Sequence, residues 1–216
     1  MQRIYILFSR STKRWKVLLD HVPGLTLKSL SNTRWESRIK SVQAIRYQAP
    51  QLRSALSHLR QASDISLSDK TDADNVFKAL GKFEFILGMV IWHDILFALN
   101  TMSKKMQSPS MCIDTTLQQI EDMRNYFHNY RAEGFSSSMA IAKSIASEMV
   151  VEASFSVKRK AKRKKHFDEN ECDEEILQAE KASEVNYFLV VVDMANSSLK
   201  TDLKNSRHSR VYLGFY

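Results

Sequence analysis

The stretch "FEFILGMVIWHDILFAL", Phe83 to Leu99, constrains the fold more than any other part of this chain. It is apolar on nearly every face of a helix, and such a helix has to be surrounded by others. It falls short of the roughly 20 apolar residues of a membrane span, and Glu84, His93 and Asp94 interrupt it, so a buried core helix is expected and no membrane partner. The neighbours that would cover it are legible too. Only 5 glycines and 3 prolines occur in 216 residues, too few for the many tight turns of a sheet protein. The expected fold class is therefore mainly α, a helical bundle.

Apolar residues recur at Ile39, Val42, Ile45, Leu52, Leu56 and Leu59, which is helical spacing with a kink expected at Pro50. A long helix is expected from about Asn75 to Lys104, after a polar loop, "SDISLSDKTDAD". Ile113, Leu117, Ile120, Met123, Phe127 and Tyr130 define another, which "EGF" is expected to end. Met139, Ile141, Ala142, Ile145, Ala146 and Met149 define the next, with serines 136 to 138 as caps. The first thirty residues read as a helical remnant stopped by Pro23 and Gly24. Within "EVNYFLVVVDMANSSLKTDL", the spacing of Val185, Phe188, Val192, Ala195 and Leu199 favours helix over strand. The organisation expected is thus 1–31, an N-terminal helical remnant and loop; 32–156, the helical domain; 157–175, a charged linker; and 176–216, a C-terminal helix and irregular tail.

Charge narrows the partners. The net charge of +8 suits a polyanionic partner, nucleic acid or an acidic surface, and equally a soluble basic protein without one. Lys158, Arg159, Lys160, Lys162, Arg163, Lys164 and Lys165 form a dense basic run, followed by six carboxylates from Asp168 to Glu175. Like charges at this density repel and form no core. The run suits nuclear import or contact with a phosphate backbone, and it places the expected location in the nucleus. Cys112 and Cys172 lie far apart and form no C-x-x-C, which suits a reducing compartment and no zinc module. The N-terminus shows no signal-peptide pattern.

Catalytic signals are sparse. Asp72 and Asp74 are expected in a loop, Glu121 and Asp122 on a helix and Asp193 in the last apolar segment, and none sits where an α/β site would cluster its acids for metal chemistry. His93 and Asp94, adjacent on a helix, are not expected to face each other, and a core pair or interface position is the simpler reading. His128 reads as a helix-surface residue. No Gly-rich phosphate loop, H-E-x-x-H or G-x-S-x-G occurs. No metal site and no cofactor is expected.

"LSNTRWESR", Leu30 to Arg38, supplies the remaining signal. Thr33 and Glu36 match a capping box, which puts Trp35 in a first helical turn between Arg34 and Arg38. Trp35 can stack on a base there, or pack beneath the helix entry as a staple. "TLKSLSNTRWESRIKSVQAIRYQ" resembles the segment that opens the helical insertion domain of hAT-superfamily transposases, with their T-R-W signature. "KALGKFEFILGMVIWHDILFALNTMSKKMQ", "YRAEGFSSSMAIAKSIA" and "KRKAKRKKHFDEN" extend the resemblance to the transposon-derived zinc finger MYM-type protein 1-like branch, over roughly Gln2 to Leu203. The resemblance implies an insertion-type helical domain beside an incomplete RNase H-like core. In the family two catalytic acids and a C-x-x-H precede this region and a third acid lies beyond it. No C-x-x-H occurs here, so the resemblance implies a truncated protein without strand-cleaving activity and transfers no catalytic residue. What it transfers is DNA contact at Trp35, supported by Arg34 and Arg38. The alternative is an interaction module that forms homo- or hetero-oligomers through apolar helices, or a transposon remnant without function.

Overall fold

The computed structural model describes residues 2–22, 24, 27–29, 35–63, 65–107, 113–156, 178–197 and 199. These residues are mainly helical, with no strand among them. The order is α1 (Gln2–Ser9), α2 (Thr12–His21), α3 (Trp35–Tyr47), α4 (Ala49–Gln61), α5 (Leu67–Leu80), α6 (Phe83–Met106) and α7 (Ile113–Glu148). A last helix, α8, covers 178–197, and its middle, Glu184–Leu189, is π-helical.

α6 is the central post, packed by α3 on one side and by α7 on the other. Its buried residues include Phe83, Ile86, Leu87, Val90, Ile91 and Ile95, each contributing roughly 1.5–3 kcal/mol by leaving water. At 24 residues it is long and apolar enough to cross a membrane by length and composition, and half of its most apolar window is covered by the bundle. On α3 and α4, Ile39, Val42, Ile45, Leu52, Leu56 and Leu59 are all buried, as the spacing predicts.

Several boundaries differ from expectation. Pro50 does not kink one helix; it stands in the first turn of a new one, where its missing N–H costs nothing, and Gln48 separates α3 from α4. The segment expected as a polar loop is α5, so Asp72 and Asp74 are helical. Ser66 caps it by accepting the Asp69 N–H at 3.2 Å. α5 ends at Gly81, which splits the expected long helix from α6. Arg53 and Arg60 of α4 both approach the Phe77 ring of α5, at 4.1 and 4.3 Å from its centroid, and lock these two helices together.

"EGF" does not end a helix. α7 runs unbroken for 36 residues, because Gly134 keeps a negative φ and lends its bare surface to the ring of Tyr130 one turn earlier. The serines expected as caps are interior to α7, with Ser138 fully buried. The helix ends instead at Val150, whose φ of 52° is left-handed, with Val151 N–H reaching back to the Ala146 carbonyl at 2.9 Å. The first thirty residues also hold more than a remnant. Ile4, Leu7, Phe8 and Leu18 are buried, and α1 and α2 pack on α5 and α4. α8 forms where the spacing favours a helix, burying Phe188 and Val192, and Leu199 beyond it is buried too.

Candidate functional site

Trp35 opens α3, with Glu36 in its first turn. Arg34, Thr33, the Trp35 side chain, Cys112, Cys172 and the run Lys158 to Lys165 lie outside the described residues. Arg38 is half-buried on α3. The Glu36 carboxylate pairs with Lys40 at 2.7 Å and with Lys104, in the last turn of α6, at 3.8 Å. Its pKa is lowered by the Lys40 hydrogen bond and charge, then by Lys104, and finally by Lys28. Lys28 is brought there because Ser41 and Ser37 of α3 donate to the carbonyls of Lys28 and Ser29, both at 3.0 Å. Three chain segments therefore deliver Lys28, Lys40, Lys104 and, beside it, Lys105 to one end of the bundle.

Deeper between α3, α6 and α7 lies a polar network that the sequence did not announce. Arg46 Nη1 donates to Asp94 Oδ1 at 2.9 Å and also meets His93 Nδ1. His93 Nδ1 in turn lies 3.1 Å from Asp94 Oδ1, so the adjacent pair does face inward together, drawn by the shared guanidinium. His93 Nε2 is buried and has no hydrogen-bond partner among the described residues. From α7 the Tyr130 hydroxyl donates to Asp94 Oδ2 at 3.4 Å and shares a hydrogen bond with Ser138 Oγ at 3.1 Å. Burial works to raise the Asp94 pKa, but hydrogen bonds from His93 and Arg46 and the Arg46 charge outweigh it and hold the carboxyl below its usual range. Burial pushes the Tyr130 phenol up, the Ser138 bond opposes this, and the Asp94 charge adds to it. The network thus holds an ionised carboxylate against a neutral phenol.

Its rings continue outward. His93 stacks on Phe97 (centroids 6.0 Å apart, planes at 16°) and meets Tyr47 edge-on. Tyr130 stacks on Tyr126 (5.9 Å, 9°). Tyr47, Phe97 and Tyr126 are exposed, at 61%, 53% and 40%. Phe97 and Tyr126 face one groove of about 250 Å³ between α6 and α7, with Met102, Met123 and Lys105. Each groove aromatic is therefore backed by a ring that the polar network anchors.

The acids singled out in the sequence stay apart. Asp74 pairs with Arg60 and Lys78, Glu121 with Arg124, Asp193 with Arg131, and Asp122 accepts from Gln118. Among the described residues no three His, Cys, Asp or Glu side chains gather to hold a metal. His128 is exposed, as expected. No protein family, curated protein or solved structure matches the chain.

Proposed function

We propose that this chain is a transposase-derived helical protein that binds nucleic acid, acting in the nucleus without strand-cleaving chemistry of its own. The observation that carries the reading is the convergence of Lys28, Lys40, Lys104 and Lys105 on the end of the bundle where Trp35 starts α3. A helix start adds unpaired amides that favour phosphate, and Arg34 and Arg38 add cations beside it. Lys158 to Lys165 serve import or further backbone contact.

Fluorescence polarisation with labelled oligonucleotides across a salt series tests this. Affinity should fall steeply with salt, and the triple substitution Lys40→Gln, Lys104→Gln, Lys105→Gln should lower the log–log slope by about one per lysine that contacts phosphate. Absence of binding at low salt, or an unchanged slope, refutes the reading.

A second reading, an interaction module, rests on the exposed apolar side of α8, where Val185, Val190 and Met194 are 44%, 47% and 66% accessible. Sedimentation that shows a dimer dispersed by Val190→Lys, with no affinity for any oligonucleotide, would favour it.

A further inference from the structure

We propose that the α6–α7 groove holds one unpaired base, which makes the protein selective for single-stranded nucleic acid. The inference rests on the nucleic-acid reading above and adds where the base goes. Phe97 and Tyr126 offer π faces to the groove, and both are large apolar rings left open to water on separate helices. An exposed aromatic on a soluble face is usually loose. These two are held: His93 stacks behind Phe97 and Tyr130 behind Tyr126.

The backing rings are themselves fixed. His93 Nδ1 donates to Asp94, which the Arg46 guanidinium also holds, and Asp94 and Ser138 grip the Tyr130 hydroxyl. A buried polar network of five side chains from three helices is costly unless its members satisfy one another, and the bonds that do so here also fix the two backing rings. Preformed rings bind with less loss of side-chain freedom than mobile ones.

The groove's volume of about 250 Å³ lies below that of pockets that enclose drug-sized ligands, which start near roughly 300 Å³, so it suits a single ring system. Its walls carry Met102 and Met123, polarizable and adaptable, which suit the flat apolar face of any base, with Thr101 and Gln119 beside them. Charge supplies the choice of occupant. Lys105 and Asp122 both line the groove, Asp122 accepting from Gln118, and Lys104 beside Lys105 points to the basic end at Glu36, so the last turn of α6 joins the groove to the cation cluster. A base in the groove leaves its phosphates on that turn. Stacking between a base and an aromatic side chain tolerates sequence, and backbone charge supplies the rest. Duplex DNA, whose bases are already stacked and paired, has no base to give.

The test compares three probes at one salt concentration: a short oligothymidylate, an abasic oligomer of equal length and charge, and a duplex. The oligothymidylate should bind about 5- to 150-fold tighter than the abasic oligomer. Phe97→Leu and Tyr126→Leu, which keep apolar bulk without a π face, should shrink that gap and leave abasic and duplex binding unchanged. Both positions are exposed enough for the variants to fold, and circular dichroism checks this. Phe97→Ala and Tyr126→Ala should close the gap further.

Equal affinity for the oligothymidylate and abasic probes overturns the base site while leaving the nucleic-acid reading in place. So does a gap that survives both leucine variants, or a preference for duplex. Failure of all three probes to bind overturns both readings.

Discussion

Replacing Gly134 with alanine should destabilise the protein, although the same change in an ordinary helix interior stabilises by roughly 1 kcal/mol. A Cβ at Gly134 would lie 2.5, 2.6 and 2.8 Å from Cδ2, Cε2 and Cγ of Tyr130. The ring cannot swing aside cheaply. Cγ sits at its root, its hydroxyl is held by Ser138 and Asp94, and Tyr126 and Phe188 flank it. Overpacking of this kind costs roughly 1–3 kcal/mol, so the net change should be a loss of about 0–2 kcal/mol. A double-mutant cycle isolates the cause. In a Tyr130→Ala background the clash is gone and the propensity gain returns, so Gly134→Ala should then stabilise by about 1 kcal/mol, a coupling of roughly 1–3 kcal/mol. Urea unfolding followed by circular dichroism measures all four proteins. If Gly134→Ala stabilises the parent protein, the ring is not seated on Gly134. If it destabilises in the Tyr130→Ala background too, the helix is interrupted at Gly134 and α7 is not one rod.

Two other perturbations address the network and the end of α7. Asp94 has a folded pKa below its unfolded value of about 3.9, so its contribution is present above that value and is lost as pH falls through the folded one. Asp94→Asn should cost roughly 2–4 kcal/mol at neutral pH, where it strands the Arg46 charge, and should flatten the loss of stability below about pH 4; unfolding at pH 7 and pH 3 tests both. Val150 is almost fully exposed and left-handed, so Val150→Gly should raise stability by about 1 kcal/mol in a thermal melt, since the strain relieved exceeds the flexibility glycine adds.

Periodicity made the core visible and left the pairings hidden. Ile39, Val42 and Ile45 announce a buried face because a helix repeats every 3.6 residues, and any partner helix satisfies that pattern. The first half of α5 escaped notice because Ala73 is its only buried residue before Asn75, and the acids and lysines around it look like a loop. Gly134 misled for the opposite reason: a glycine after an apolar run signals a stop, unless a ring four residues back needs the space. The candidate site was the least legible. Arg46 and Asp94 are 48 residues apart, Asp94 and Tyr130 another 36, and nothing local to either stretch says that they meet. Phe97 and Tyr126 stand off the repeats that mark the core faces of their helices, and only the packing of α6 on α7 brings both to one groove.

The π-helical middle of α8 makes that helix intolerant of length change. A π turn holds more residues than an α turn, so the helix on either side of Glu184–Leu189 is rotated relative to an unbroken α-helix. This offset lets consecutive residues serve different neighbours: Tyr187 accepts the Trp92 indole N–H at 2.9 Å over Gly88 of α6, while Phe188 packs on Tyr130 and Phe135 of α7. Five residues after Phe188, Asp193 closes two bonds with Arg131. Deleting one residue from the turn would restore an even helix and with it a single phase, so either the α6 attachment or the α7 attachment would be carried round to face water. The spare residue acts as a phase shifter, and α8 can clasp two helices only while it is there.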